Sequence, residues 1–280
     1  FKSRKLIKKY KPKLIIGTGG YSSGMPLIAG IHMNIPTIIQ DQNSIPGLIT
    51  RLLYKKITLL FLAYKNAKEV LESKNNIFIT GNPIRKKLHL YNKNESKIKL
   101  GLDQNKKTIF ILGGSQGSKI INRHIIKNID FYISQDFQLY IQCGEKNQKD
   151  FPKKIRDLTN VTVKPFIEDI SYIYSACDLV ISRAGALAIT ELCYMGKAMI
   201  LIPFSFAADD HQRLNANEIM SEKACIVVEE KDLEKGILEK KITNLVNNNS
   251  LKKLENNAKK ISYDNANNEI IKHINGIINA

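Results

Sequence analysis

The stretch CDLVISRAGALAITELCYMGKAMILIPFSFAADDHQRLN, residues 177–215, reads as strand, tight turn, helix, strand and polar loop, and it decides the fold. Its first run, DLVIS, is short, apolar and β-branched, as a buried parallel strand requires. The run ends at Arg183-Ala184-Gly185-Ala186, where small residues let a ligand reach the backbone. From Ala186 the segment ALAITELCYMG carries helical spacing and stops at Gly196, a residue suited to the left-handed position past a helix end. A helix that starts at the carboxyl end of a parallel strand presents free N–H groups and a positive dipole end, a site for a phosphate or diphosphate. Glu191 falls a turn or so inside that helix, where a carboxylate cannot bind phosphate but accepts two hydrogen bonds from a ribose diol. After the next apolar run, AMILIPF, comes Ala208-Asp209-Asp210-His211-Gln212, a polar cluster at another strand end. Taken singly, each piece is ordinary, because strand–glycine–helix junctions and solvated helix glutamates occur throughout α/β domains. Their coincidence at consecutive strand ends points to a ligand site.

The remaining composition narrows the class of protein. A chain of 280 residues with 43% hydrophobic content supports two domains with cores of their own. The four cysteines, Cys143, Cys177, Cys193 and Cys225, lack CxxC spacing and read as buried thiols of a reducing compartment. No stretch approaches the roughly 20 apolar residues of a membrane-spanning helix, and Phe1-Lys2-Ser3-Arg4 does not begin a signal peptide, so the expectation is a chain that is soluble or lies on a membrane. The net charge of +17 coexists with abundant Lys, Asn and Ile and no Trp, which is as consistent with compositional drift as with a partner. A functional charge would favour anionic lipid headgroups over nucleic acid, since no nucleic-acid-binding motif is visible.

Upstream, Pro12–Gly17 reads as a strand running into Thr18-Gly19-Gly20-Tyr21-Ser22-Ser23-Gly24; Ser22 occupies the place of a third glycine, so this is not a dinucleotide fingerprint. Ile35–Ile39 is a second strand, ending in Gln40-Asp41-Gln42-Asn43, residues that either line a site or cap the next helix. Leu48–Ala67 is amphipathic and basic and reads as a helix able to dock on anionic lipid. Ile77–Thr80 leads into Gly81-Asn82-Pro83-Ile84-Arg85, and residues 86–105 read as a polar stretch between domains. Thr108–Leu112 is a buried strand followed by GGSQGS, a phosphate-cradling turn without the Lys-Ser/Thr ending of a P-loop, which argues against ATP hydrolysis. Leu139–Gly144 and Val161–Ile170 carry further strands, and Lys231–Ala280 is helical and polar, with Ile270–Ile278 expected to pack back on the first domain.

The motifs GGYSSG, QDQN, GNPIR, GGSQG, RAGALAITELCYMGKAMILIPF and DDHQRLNA together resemble the MurG family of bacterial glycosyltransferases, along the whole length of the chain. That resemblance implies an α/β fold of glycosyltransferase-B architecture: two Rossmann-like domains with a cleft between them, the first one truncated. Residues 1–84, joined by a last helix at about 264–280, would form the acceptor and membrane-side domain, and residues 85–263 the UDP-sugar domain. The family's glycine-rich GGTGGH loop, with its proposed catalytic histidine, is expected upstream of Phe1, so the chain is expected to be part of a longer protein and no catalytic base is assigned.

Carried over by motif, Asn43 is the transferable member of QDQN, while Gln40 stands where the family usually has His. Arg85 would pair with a donor phosphate or hold the cleft; Ser115 would contact the diphosphate; the backbone of Ile167 would read the uracil edge. Ala186, Leu187, Ala188, Ile189, Thr190 and Glu191 would run along the nucleotide, with Glu191 on the ribose and Ala188 replacing a frequent hydroxyl. His211 and Gln212 match a sugar-contacting Gln pair, after one extra loop residue. The implied activity is inverting transfer of N-acetylglucosamine from UDP-N-acetylglucosamine to an undecaprenyl-diphosphate-linked muramoyl-pentapeptide, in peptidoglycan synthesis at the cytoplasmic face of the inner membrane. UDP-N-acetylglucosamine is then a substrate, with no cofactor, no metal and no nucleic acid, and the polyprenyl acceptor and an anionic membrane surface are the other partners. Two rivals stand beside it: another UDP-sugar enzyme on the same scaffold, such as an epimerase, and a nucleotide-sugar-binding remnant without turnover.

Overall fold

A computed structural model describes residues 2–72 and 75–279. The chain divides into two units, Phe1–Ile84 with Tyr263–Ala280, and Arg85–Ser262. Each is built on a wholly parallel sheet. A parallel sheet is covered by helices on both faces, so its strands carry near-continuous apolar runs.

The first unit runs α1 (Lys2–Tyr10), β1 (Ile15–Gly17), α2 (Tyr21–His32), β2 (Thr37–Asp41), α3 (Leu48–Leu53), β3 (Leu59–Leu62), α4 (Lys65–Glu69) and β4 (Ile77–Ile79). Its sheet order is β1-β2-β3-β4. Leu27, Ile39, Leu60 and Leu62 form the centre of its core. Leu48–Ala67 is therefore not one amphipathic helix. A strand, LLFL, occupies its middle, hydrogen-bonded between β2 and β4. The basic residues that suggested a helical stripe flank a buried strand, and the β-sheet position of Phe61, which is fully buried, overrides the apparent period.

The strand-end residues of this unit are tied to one another. Gln40 donates through Nε2 to Asn82 Oδ1 at 2.8 Å, and Asn82 Nδ2 donates to the Gln42 carbonyl at 3.1 Å. Asp41 accepts from the Gly47 N–H at 2.9 Å and from the Thr50 hydroxyl, fixing the approach to α3. Gly81 has a φ of 79°, and a Cβ there would run into the Tyr263 side chain. The closing helix of the chain, Ala266–Ile278, belongs to this unit: Asn267 exchanges two hydrogen bonds with the Ile84 backbone, the His273 ring lies 4.1 Å from Phe78, and Ile270, Ile274 and Ile277 are half-buried. Ile271 and Ile278 are exposed.

The second unit continues with α5 (Lys93–Lys99), β5 (Thr108–Leu112), α6 (Lys119–Lys127), α7 (Ile129–Ser134), β6 (Gln138–Gln142), α8 (Lys153–Arg156), β7 (Val161–Lys164), α9 (Ile170–Ala176) and β8 (Leu179–Ser182). It ends with α10 (Ala186–Tyr194), β9 (Met199–Leu201), α11 (His211–Ser221), β10 (Ile226–Val227), α12 (Ile237–Asn247) and α13 (Leu251–Lys260), so the closing helix is α14. The sheet order β10-β9-β8-β5-β6-β7 is the doubly wound dinucleotide-fold order, with its reversal between β5 and β8. Residues 86–105 are not a bare connector. Asn92 caps α5 by accepting from the Asn94 and Glu95 N–H groups, Tyr91 stacks on Tyr172 of α9 at 4.3 Å, and Lys97, only 2% exposed, donates to the Gln104 and Lys106 carbonyls.

Replacing Asp41 by Ala strands the buried Thr50 hydroxyl and removes the acceptor of the exposed Gly47 N–H, and the expected loss is about 1–3 kcal/mol of unfolding free energy, read from the denaturant midpoint. An unchanged midpoint would show that water replaces the carboxylate.

Candidate functional site

In the second unit the loops that follow β5 and β8 leave the sheet side by side. Leu112 and Ser182 are register partners, and the Arg183 N–H donates to the Leu112 carbonyl at 3.2 Å. GGSQGS and RAGA thus begin next to each other, at the point in a doubly wound sheet where diverging crossovers leave a crevice.

The GGSQGS turn is held by backbone approach. A Cβ on Gly117, whose φ is 71°, would meet the Cys143 carbonyl, and one on Gly144 would meet the Gln116 carbonyl. These two glycines let the turn pack against the end of β6. Gly114 differs, since its φ of 86° needs glycine but nothing lies within 4 Å of its Cβ position. Ser115, beside it, is exposed. Asn147 donates to the Gln116 and Cys143 carbonyls at 3.1 and 2.9 Å, and Asn122 donates to the Cys143 carbonyl at 2.9 Å.

The turn after β8 leads directly into α10. Gly185 is its N-cap, without a side-chain cap, and a Cβ there would point into open space. As the first residues of this nine-residue helix, Ala186, Leu187 and Ala188 carry N–H groups with no acceptor inside the helix. Ala186 is buried, so only its backbone can serve a ligand; Ile189 is buried and its N–H already donates to the Gly185 carbonyl at 3.0 Å; Leu187 is exposed and Ala188 half-buried; the Thr190 hydroxyl donates to the Ala186 carbonyl at 2.9 Å. Glu191 lies on the second turn with its side chain 12% exposed. Arg85 reaches Glu191 Oε1 through Nε and a terminal nitrogen, both at 2.6 Å, and the Tyr174 hydroxyl donates to Oε2 at 3.2 Å. Burial, and then the adjacent Glu191 charge, push the Tyr174 hydroxyl well above its usual range, so it stays a donor. The sequence carried no sign of this tyrosine, whose position on α9 reads as core.

Arg183 is a second residue that pattern reading passed over. It donates to the Ile202 and Pro203 carbonyls at 3.1 and 3.2 Å and to the Ser118 hydroxyl at 2.7 Å, pairs with Glu230 at 2.5 Å, and lies 5.4 Å from the centre of the Phe204 ring. One guanidinium thus joins the ends of three strand-end loops. Beyond it, Gln212 Oε1 accepts from the Phe204 N–H at 3.0 Å, leaving its NH₂ group for another partner. His211 Nδ1 donates to the Ala208 carbonyl at 2.7 Å. Asp209 and Asp210 both adopt left-handed backbone, φ 51° and 52°, in the turn that starts α11. The Ile167 N–H donates to Gln142 Oε1 at 3.1 Å, so the Ile167 segment is anchored to β6.

Of the residues singled out by sequence, Arg85 and Glu191 are brought into direct contact, and Ser115 and Ala186–Glu191 share the β5–β8 junction. Asn43 belongs to the other unit, where its N–H faces Asp41 Oδ1 at 3.4 Å. Burial raises all four thiols, Cys177 to about 11 and Cys193 to about 12, so none serves as a nucleophile. Among the described residues no three His, Cys, Asp or Glu side chains converge to hold a metal ion, and no helix is long and apolar enough to cross a membrane.

Residues 108–274 match the family model for the glycosyltransferase family 28 C-terminal domain, and residues 1–62 that for its N-terminal domain. A UDP-N-acetylglucosamine–N-acetylmuramyl-(pentapeptide) pyrophosphoryl-undecaprenol N-acetylglucosamine transferase of Flavobacterium psychrophilum is 37% identical over 278 residues, 98% of this chain and 74% of that one. The transferase of the same description from Acetivibrio thermocellus is 35% identical over 280 residues, 99% of this chain and 76% of that one. The chain therefore spans about three-quarters of the length of these relatives. The crystal structure of Acinetobacter baumannii MurG superposes with a TM-score of 0.76 at 24% identity, covering 98% of this chain and 76% of that one. A Neisseria meningitidis UDP-GlcNAc 2-epimerase superposes at 0.69 with 15% identity, covering 97% and 78%. The two superpositions establish a shared two-domain fold.

The Arg183–Glu230 pair makes a pH-dependent contribution to stability. Burial opposes the Glu230 charge most strongly, yet the hydrogen bond from Ser205 and the Arg183 guanidinium hold its carboxyl below the ordinary 4.5. A carboxyl lowered on folding contributes stability above its unfolded value, and loses it as pH falls through the lower folded value. Glu230→Gln is therefore expected to be less stable than wild type at neutral pH, with the gap in denaturant midpoint narrowing as pH falls below 4.5. Parallel midpoint curves would show that the ion pair contributes nothing.

Proposed function

The chain belongs to glycosyltransferase family 28, and from that premise we propose that it moves N-acetylglucosamine from UDP-N-acetylglucosamine to an undecaprenyl-diphosphate-linked muramoyl-pentapeptide. The observation that carries the reading is Glu191, a carboxylate set one turn inside α10 and oriented by Arg85 and Tyr174 beside the open N-terminus of that helix. A nucleoside diphosphate fits this arrangement in one direction only. Its two ribose hydroxyls donate to Glu191, while its diphosphate lies at the α10 N-terminus and the Gly114-Ser115 turn, where N–H groups and a helix dipole meet negative charge.

The residues then divide the work. Ser115 and the backbone N–H groups of Ala186, Leu187 and Ala188 hold the diphosphate, with the Ile189 N–H closing the first turn on the Gly185 carbonyl and Thr190 bonding back to Ala186. Ile167 supplies backbone atoms to the uracil edge, and the NH₂ of Gln212, with His211 beside it, faces the donor sugar. As the anomeric carbon is released, negative charge collects on the UDP oxygen. Fixed N–H dipoles and the Arg85 guanidinium, once it leaves Glu191, stabilise that charge at little reorganisation cost. The proposed transfer inverts the anomeric centre and calls on no metal or cofactor; no histidine of this chain is assigned the base that deprotonates the acceptor hydroxyl. In the first unit, Asn43 and the Gly19-Gly20 turn serve the acceptor side, and the exposed cations of α1 (Lys2, Arg4, Lys5, Lys8 and Lys9) suit an anionic membrane face, with a peripheral location at the inner membrane.

The test is incubation with radiolabelled UDP-N-acetylglucosamine and the lipid-linked muramoyl-pentapeptide. Label carried into a lipid-linked disaccharide supports the reading, and conversion of the sugar nucleotide to its 2-epimer without transfer overturns it. For the site itself, Glu191→Ala is expected to weaken UDP binding by about 1–3 kcal/mol in calorimetry, since a buried charged acceptor is lost. Unchanged affinity would remove Glu191 from the ribose.

A further inference from the structure

The last residue of β6, Gln142, is 3% exposed, and its side chain joins two segments of the candidate site. Its Nε2 donates to the Gly114 carbonyl at 3.1 Å, inside GGSQGS, and its Oε1 accepts from the Ile167 N–H, also at 3.1 Å. The partners fix the orientation of the amide, because a carbonyl must receive the NH₂ end and an N–H must receive the oxygen. The sheet order explains why one side chain can do this. β6 lies between β5 and β7, with Gln142 paired to Leu112 on one side and Lys164 on the other. Gly114 follows two residues after Leu112, and Ile167 three residues after Lys164.

We propose that Gln142 is a positioning residue that sets the diphosphate turn and the base-reading segment in register with each other, and so governs selection of uracil over cytosine. This rests on the proposed reading of Ile167 and Ser115 as nucleotide contacts. The distance between uracil and diphosphate is fixed by the nucleotide, so the two backbone segments that receive them must be held at a matching separation. Gly114 has no side chain, a left-handed φ of 86° and nothing beside its Cβ position, and its carbonyl also accepts from the Gly117 N–H at 3.0 Å, a bond internal to the turn that does not tie it to the Ile167 segment. Ile167 lies past the end of β7, outside the ladder. The buried amide is the direct link between the two. Its hold on the Ile167 N–H also orients the peptide whose neighbouring groups meet the base, and uracil and cytosine differ at that edge by the exchange of a donor for an acceptor at N3.

The experiment measures dissociation constants for UDP, CDP and uridine on wild type, Gln142→Met and Gln142→Glu by calorimetry, with melting curves for each. Wild type is expected to prefer UDP over both CDP and uridine. A wild type that binds UDP and CDP equally removes the base-reading role of Ile167, a failure of the underlying reading that is visible before any variant is made. With that preference in place, Gln142→Met, which loses both bonds at similar volume, is expected to cut the UDP/CDP ratio and the UDP/uridine ratio by about tenfold each. Gln142→Glu keeps an oxygen for the Ile167 N–H but sets a carboxylate against the Gly114 carbonyl, and is expected to retain base preference while losing the UDP/uridine ratio. A residue that merely stabilised the fold would shift the melting temperature and leave both ratios at wild-type values. That result in Gln142→Met, or in Gln142→Glu should the first variant not fold, overturns the proposal.

Discussion

The pairing of β5 with β8 is the constraint on which the second unit depends. From β5 the chain winds outward through β6 and β7, and from β8 it winds the other way through β9 and β10. Right-handed crossovers carry the two successions to opposite faces, so the loops after β5 and β8 separate as they leave adjacent strands. The backbone bond from Arg183 to Leu112 marks the place where they part. The GGSQGS turn and the start of α10, proposed to hold the diphosphate, take their positions from that divergence.

Those segments have little regular hydrogen bonding of their own, and buried polar side chains hold them instead. Asn122 and Asn147 secure the end of β6 to the GGSQGS turn, Gln142 carries the link on to Ile167, and Arg183 binds the turn after β8 to the loop that leads to Gln212. Asn147 and Gln142 are buried with both ends of their reach bonded, the condition under which a polar network adds rigidity rather than cost. The diphosphate site proposed here would gain from loops fixed in advance. Glu191 is held differently: the Arg85 guanidinium and the Tyr174 hydroxyl occupy both of its oxygens, so under the proposed reading a ribose diol would replace one set of donors with another.

The glycines of the second unit separate into two kinds. Gly117 and Gly144 are required by backbone packed against backbone, so their place in the motif is a matter of folding. Gly114 and Gly185 border open space, and their lack of a side chain leaves room for something that is not protein. The motif reads the same in both cases.

The amino-acid sequence alone determined the strands, the turn glycines and the polar strand ends. Burial on both faces leaves a parallel strand as an unbroken apolar run, and turn chemistry is set by residues a few positions apart. DLVIS, TIFIL, Gly196 and Glu191 were legible for that reason. The same local reading took Leu48–Ala67 for a helix, because four strand residues among cations satisfy a helical stripe until their neighbours in the sheet are known. It also left residues 86–105 as a connector, although Lys97 and Tyr91 find partners once α5 meets α9. Tyr174, Arg183 and Gln142 lay beyond sequence for a single physical reason. Their partners are 17, 47 and 28 residues away along the chain, for Glu191, Glu230 and Gly114 respectively, and only the closed sheet brings those groups within a hydrogen bond.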